Sequence, residues 1–256
     1  MRVFLFVAAC CAVGVHAAES DLFSASVPTG DPSRSEQVLV REALGRVLVK
    51  LSGRSDIAGD PRVSELLATP SEHLRSLQYT VAQVPQAEGT REEEYLLATF
   101  LAGPLQRALR QRGVRLWSPE RPEVLVWLAI ERPGGEREML PADAGVLRYH
   151  LRRDGRELGL PLLLPLQDFR DYAALDVDAV WSGYPEPMAA ASERYAPDRV
   201  LFAAARPGGE GWRVRWHLTG GRQLISVRSG GARLRDAIRK GLESVADRLA
   251  GLDAVR

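Results

Sequence analysis

Apolar positions along the chain recur with two periods, and the changes between them mark out elements. Leu22 to Val27 alternates apolar and polar and runs into Pro28-Thr29-Gly30, the pattern of a strand entering a turn. Ser33-Arg34-Ser35-Glu36 then spells a capping box, with Ser33 as N-cap and Glu36 three residues on. Val40, Leu44, Val47, Leu48 and Leu51 follow at three- and four-residue spacing, one stripe of a helix that Gly53 should end in the left-handed conformation. Short helices are expected between Ser55 and Thr80, opened at Asp60-Pro61 and Pro70-Ser71. Leu77 to Val84 and Glu94 to Leu101 read as a hairpin about the polar turn Gln86 to Glu92, and Gly103-Pro104 opens a helix closed by Gly113.

Periodicity breaks at Trp117-Ser118-Pro119-Glu120-Arg121-Pro122, the expected boundary between a small α+β domain over 21–116 and a second domain over 122–252. A single fused core with Trp117 packed between the halves is the alternative. Beyond the break, Val124 to Ile130 is a nearly continuous apolar run, as in a strand covered on both faces. Ala142 to Leu158 reads as a helix with an arginine-rich outer face, Leu160 to Leu166 as a second buried strand, Pro187 to Tyr195 as a helix and Arg199 to Ala205 as a third strand. Trp212 to Leu218 and Leu224 to Arg228 read as a meander joined at Gly220-Gly221, before an amphipathic helix from Ala232 to Leu249. This order predicts a three-layer α/β domain whose early strands are parallel and whose last strands form an antiparallel meander.

The first residues change the picture most. Arg2, the apolar run Val3 to Val15 and the small Ala17 and Ala18 read as a secretory signal peptide over 1–17, cleaved between Ala17 and Ala18. Val7-Ala8-Ala9-Cys10 also passes as a lipoprotein box, so membrane anchoring is expected only if Cys10 is lipidated. The apolar run is too short to span a bilayer, which needs about 20 residues. Export implies a periplasmic location, away from cytosolic cofactor pools and chromosomal DNA. Cys10 and Cys11 are the only cysteines, so a chain cut after Ala17 has no disulfide and no thiolate site. It keeps 33 basic and 33 acidic side chains, because the cut removes Arg2 alone from 34 and 33. That balance argues against a nucleic-acid partner. The near absence of lysine beside arginine fits a GC-rich coding sequence better than an anion-binding signature.

Motifs that carry chemistry are largely missing. The chain has no Gly-x-Ser-x-Gly elbow, Ser-x-x-Lys pair, His-Glu-x-x-His helix or phosphate loop, so no catalytic residue, cofactor or metal is assigned. His73, His150 and His217 fall on different predicted elements. Asp168, Asp171, Asp176 and Asp178 lack the spacing and glycine of a calcium loop and read as helix N-caps. Arg107 to Arg115 and Arg148 to Arg156 form two basic runs, either solvated helix faces or surfaces for anionic headgroups or peptidoglycan. The candidate binding residues are Arg54 and Asp56, in the turn that ends the first helix, with Trp181 and Arg194. The competing reading pairs Arg54 with Asp56 or a helix carbonyl, and tucks Trp181 against the core.

Several segments together resemble a family of proteobacterial exported proteins catalogued as domain of unknown function 2066. They are Val27-Pro28, Glu42-Ala43-Leu44, Val47 to Arg54, Trp117, Arg121-Pro122, Val126-Trp127-Leu128, Gly159-Leu160-Pro161, Ala191 to Tyr195 and Trp212 to Trp216. The resemblance implies no activity. More loosely, the second domain is similar in topology to α/β domains of envelope assembly factors, an analogy of fold alone. The function expected is a non-enzymatic binding or assembly module of the cell envelope, with an envelope protein left open as its partner. The alternative is a hydrolase working through paired carboxylates on cell-wall or saccharide substrates.

Overall fold

The computed structural model describes residues 21–220 and 224–253; the leader and the Ala17/Ala18 cleavage site lie outside them. In the first half, strand β1 (Ser24–Pro28) pairs with β3 (Thr90–Phe100), which pairs in turn with β2 (Leu74–Pro85), all antiparallel. Helix α1 (Glu36–Ser52) lays its stripe on this sheet, with Val40, Leu44, Val47, Leu48 and Leu51 all buried. Its N-cap is Ser35 rather than Ser33: Ser35 Oγ accepts from the Val38 amide at 3.4 Å. The Ser33 hydroxyl is already committed to Asp31 Oδ1, at 2.6 Å, in the turn before the helix. Gly53 ends α1 at φ 69°, donating to Val49 O at 2.8 Å. Three single turns of 3-10 helix and α2 (Ser64–Ala68) lead into β2, and α3 (Ala102–Gln111) follows β3.

The second sheet is mixed, in the order β5-β4-β7-β8-β9. β4 (Val124–Glu131) lies parallel to β7 (Arg199–Gly208), while β8 (Gly211–Thr219) and β9 (Ile225–Gly231) continue as an antiparallel meander. The free edge of β4 carries β5 (Arg137–Met139) at one end, antiparallel, and the two-residue β6 (Leu162–Leu163) at the other, parallel. The strand expected over 160–166 shrinks to β6 because Pro161 and Pro165, which have no N–H for a ladder, flank it. Helices α4 (Gly145–Leu158) and α8 (Leu234–Asp253) cover one face of the sheet. Against the other face lie α6 (Val177–Ser182) and α7 (Pro185–Ser192), with α5 (Phe169–Ala174) beside α7. The two layers follow from alternation along β4, whose Val124, Val126 and Leu128 enter the α4/α8 core while Leu125 and Trp127 enter the other.

The two halves are joined through side chains. Val49 of α1 packs against both cores, and Trp117 is buried in the core that α8 also lines. The Trp117 amide donates to Leu51 O at 2.7 Å, and the Arg121 guanidinium stacks 4.1 Å above the Trp117 ring while donating to Lys50 O and Gly159 O. Beside this contact runs an ionic seam. Glu157 of α4 accepts from Arg46 of α1 at 3.1 Å, from Arg153 at 2.9 Å and from Arg239 of α8 at 2.9 Å.

Candidate anion-binding face

The outer positions of the meander assemble a cluster that no single segment of the sequence displays. Alternation along β8 turns Val214, Trp216 and Leu218 into the α4/α8 core and Arg213, Arg215 and His217 to the opposite face. Antiparallel register sets Arg206 of β7 directly across from Arg213, and Arg228 of β9 across from Arg215. All four guanidinium-bearing residues are exposed, around a hollow of about 380 Å³ whose wall is completed by Trp181 and Ala204. Arg215 Nη2 donates to the Trp181 carbonyl, and Arg137 lies over the indole ring, its Cζ 4.2 Å from the centroid. Trp181 is thus half-buried and held as one wall of the hollow.

Among the described residues no carboxylate lies within ion-pair distance of Arg206, Arg213, Arg215 or Arg228. Arg46, Arg54, Arg62, Arg137, Arg153, Arg194 and Arg239, by contrast, each hold at least one carboxylate. Like charges directly opposite on neighbouring strands are destabilising, so the two cross-strand pairs spend stability that a bound anion would return. Guanidinium suits that task, because its planar fork gives two parallel hydrogen bonds to a carboxylate, phosphate or sulfate.

His217 lies on the same face of β8 as Arg213 and Arg215. Its Nδ1 is 2.9 Å from Ser226 Oγ and its ring stacks on Phe202, with centroids 5.2 Å apart. Burial, reinforced by Arg215 and Arg228, pushes its imidazole below the usual range. Burial, with Arg235 and Arg153, does the same to His150 on α4. A base with a depressed folded pKa takes its proton more readily when unfolded, so stability falls as pH drops through the unfolded value, about 6.5. The melting temperature is therefore expected to be lower at about pH 5.5 than at about 7.5. A His150→Gln/His217→Gln variant should show a smaller change over the same window; an unchanged pH dependence would reject the assignment. Asp154, whose carboxyl burial pushes up, works in the opposite direction, and for that reason the comparison with the double variant is the measurement.

The sequence candidates fall in three places. Arg54 meets Asp56 through Nε and Nη2, both at 3.0 Å, and Asp60 through Nη1 at 2.7 Å, so Arg54 and Asp56 form a tie within the turn after α1. Arg194 grips Asp168 with both terminal nitrogens, at 2.7 and 2.9 Å, and also reaches the buried Asp171 at 3.0 Å. Trp181 alone lines the arginine hollow. Asp168 and Asp176 are the N-caps of α5 and α6, and Asp171 accepts from the Tyr195 hydroxyl at 2.7 Å. Among the described residues no three His, Cys, Asp or Glu side chains gather as a metal site.

A second hollow, about 220 Å³, lies between the halves and is lined by Arg46, Lys50, Tyr95, Tyr149, Arg153 and Glu157, among others. Arg46, Lys50, Tyr95, Arg153 and Glu157 are engaged by hydrogen bonds or ion pairs. The buried Lys50 Nζ donates to Asp21 O at 2.8 Å and Ser24 O at 2.9 Å, with its pKa pushed down by burial. A carboxylate hydrolase needs one acid kept protonated. Glu157 is in the contrary state: burial would raise its pKa, but Arg46, Arg239 and Arg153 hold it below the usual carboxylate range.

Comparison with curated proteins returned no match. Residues 17–118 match the family described as Domain of unknown function (DUF8605), a span that takes in β1 to β3, α1 to α3 and the Trp117 contact. This finding overturns the resemblance to domain of unknown function 2066: the matching family is a different one, and nothing in the second half of the chain restores the earlier assignment. The similarity covers less than half of the chain, and it identifies residues 17–118 as similar to DUF8605, a family whose description carries no activity.

Proposed function

We propose that the protein is an exported, non-enzymatic binding module of the cell envelope, and that its ligand is an anionic polymer received on the β7-β8-β9 face. The observation that carries this reading is the set of four exposed arginines, Arg206, Arg213, Arg215 and Arg228, gathered beside Trp181 with no carboxylate partner among the described residues. Export rests on the expected leader over residues 1–17. In that compartment the available polyanions are saccharides and phosphate-bearing polymers rather than chromosomal DNA. A repeating anion suits four guanidinium groups on adjacent strands better than one compact ligand does, because each arginine can take a separate charge.

Soluble dextran sulfate and neutral dextran test the reading without any lipid. Dextran sulfate should bind, with an affinity that falls as salt rises, and neutral dextran should not. Arg213→Glu/Arg228→Glu should weaken binding at least about tenfold, since each charge-assisted contact contributes roughly 1.5–3 kcal/mol. Arg110→Glu/Arg115→Glu, in the basic run at and just beyond α3, should leave it nearly unchanged. Equal losses in both variants would reduce the effect to general charge and reject the face as a site.

A further inference from the structure

We infer that the stretch Leu166 to Tyr172 is a peripheral membrane-docking wedge, in which three exposed apolar side chains enter an anionic lipid surface beside a row of arginines. This goes beyond the polymer-binding face and uses a different part of the molecule. Leu166, Phe169 and Tyr172 are 60%, 86% and 53% exposed, three large side chains within seven residues, and Phe169 is the most exposed of the large hydrophobic residues described. Isolated apolar residues on a surface need no explanation, but a group of them on one short stretch marks an interaction site.

The exposure is imposed by the fold. Arg194 clamps Asp168 and Asp171, while the Tyr195 hydroxyl accepts from the Leu166 amide at 2.9 Å and donates to Asp171 at 2.7 Å. Asp168 also caps α5, accepting from the Arg170 and Asp171 amides. The backbone on either side of Phe169 is therefore held in place, with the ring exposed. The same contacts engage the two acidic groups of the stretch with Arg194.

Charge complementarity selects the occupant. Leu166 lines a hollow of about 390 Å³ together with Arg148, Arg152 and Arg156, three arginines on successive turns of α4. Arg148 is only 7% exposed; its Nη2 donates to Pro165 O at 2.8 Å, and its Nη1 has no hydrogen-bond partner among the described residues. Arg152, Arg156 and, inside the wedge itself, Arg170 are exposed, with no carboxylate within ion-pair distance among the described residues. Of these cations, Arg152 and Arg156 lie beside Leu166, while Tyr172 shares a separate hollow with Arg137, Glu138 and Asp176. An apolar, partly aromatic tip with cations at its Leu166 end matches the layering of an anionic bilayer surface, acyl chains below and headgroup phosphates above. A protein partner would need a matching apolar socket; lipid conforms to the wedge.

Vesicles decide it. The full chain should sediment with phosphatidylglycerol vesicles and hardly with phosphatidylcholine vesicles. Phe169→Asp/Tyr172→Ser should weaken that association at least about tenfold while keeping the parent's circular dichroism and melting temperature. Arg152→Glu/Arg156→Glu should weaken it as well and make it less sensitive to salt. With Phe169→Trp, the emission added to that of the parent should shift to the blue on phosphatidylglycerol vesicles. Arg213→Glu/Arg228→Glu, which removes the polymer-binding face, should leave the blue shift of the Phe169→Trp probe on phosphatidylglycerol vesicles in place, and Phe169→Asp/Tyr172→Ser should leave dextran sulfate binding nearly unchanged, so the two proposals fail separately. Absence of vesicle binding, equal binding to neutral lipid, or binding that survives Phe169→Asp would each overturn the inference. So would self-association of the parent that Phe169→Asp abolishes, which would assign the wedge to a second copy of the chain.

Discussion

Trp216→Ala is expected to lower stability by about 3–5 kcal/mol, the range for deleting a large buried aromatic side chain. The indole is fully buried in the α4/α8 core, and its Nε1 donates to Ser229 Oγ at 2.9 Å. Ser229 Oγ in turn donates to Ala237 O at 2.7 Å, so one side chain ties β8 to β9 and β9 to α8. Equilibrium unfolding in denaturant measures the loss, and a value below about 1 kcal/mol would show that the site collapses without a cavity. Arg215 and His217 flank Trp216 on β8 and face the other way, so its loss should also loosen the arginine face.

A sharper form of the same expectation uses Gly241 of α8. A Cβ built there falls 2.1 Å from Trp216 Nε1 and 2.3 Å from Cε2, well inside contact distance. Alanine is the better helix former by about 1 kcal/mol, yet Gly241→Ala should destabilise, because overpacking costs about 1–3 kcal/mol and displaces the indole from Ser229. In a Trp216→Leu background the sign should reverse and the propensity gain should emerge. Additivity between the two substitutions would mean that the ring and the helix are not in contact as described.

Where sequence and structure agree, one period rules a whole element. Helix α1 was legible because its stripe is long and Gly53 stops it, and β4 because an unbroken apolar run is what burial on both faces requires. Disagreement arises where local chemistry competes with the pattern. Asp31 takes the Ser33 hydroxyl and moves the N-cap of α1 to Ser35. Two prolines cut a seven-residue apolar run down to β6, and α5 and α6, six residues each, are too short for a helical period to show. The arginine face was not legible at all. Arg206, Arg213, Arg215 and Arg228 sit on three strands and meet only through register, while in the sequence each is the ordinary polar position of an alternating strand. An arginine-rich composition hid them further. The one signal available was that Arg213 and Arg215 share a face of the segment that also carries Trp212 and Trp216.

Gly53→Ala should be strongly damaging at the joint between the halves, lowering stability by about 2–5 kcal/mol. Two effects add. The residue holds φ 69°, where a side chain costs about 1–2 kcal/mol. Its missing Cβ also makes room for a neighbour: a Cβ there falls 2.2 Å from Ala250 Cβ of α8 and 3.0 Å from Trp117 Cε3, adding an overpacking term of about 1–3 kcal/mol. Gly113 separates the two terms. It ends α3 at φ 68°, and the nearest atom to its Cβ is the far end of the Arg62 side chain at 3.9 Å, so Gly113→Ala should show the backbone term alone. Thermal unfolding of both variants against the parent gives the difference directly, and that difference is the energy with which α8 and Trp117 press on the end of α1. Equal losses would mean that the halves are joined through the Glu157 seam rather than through this contact, and then Arg46→Ala, which removes the α1 side of the seam, should cost more than Trp117→Ala.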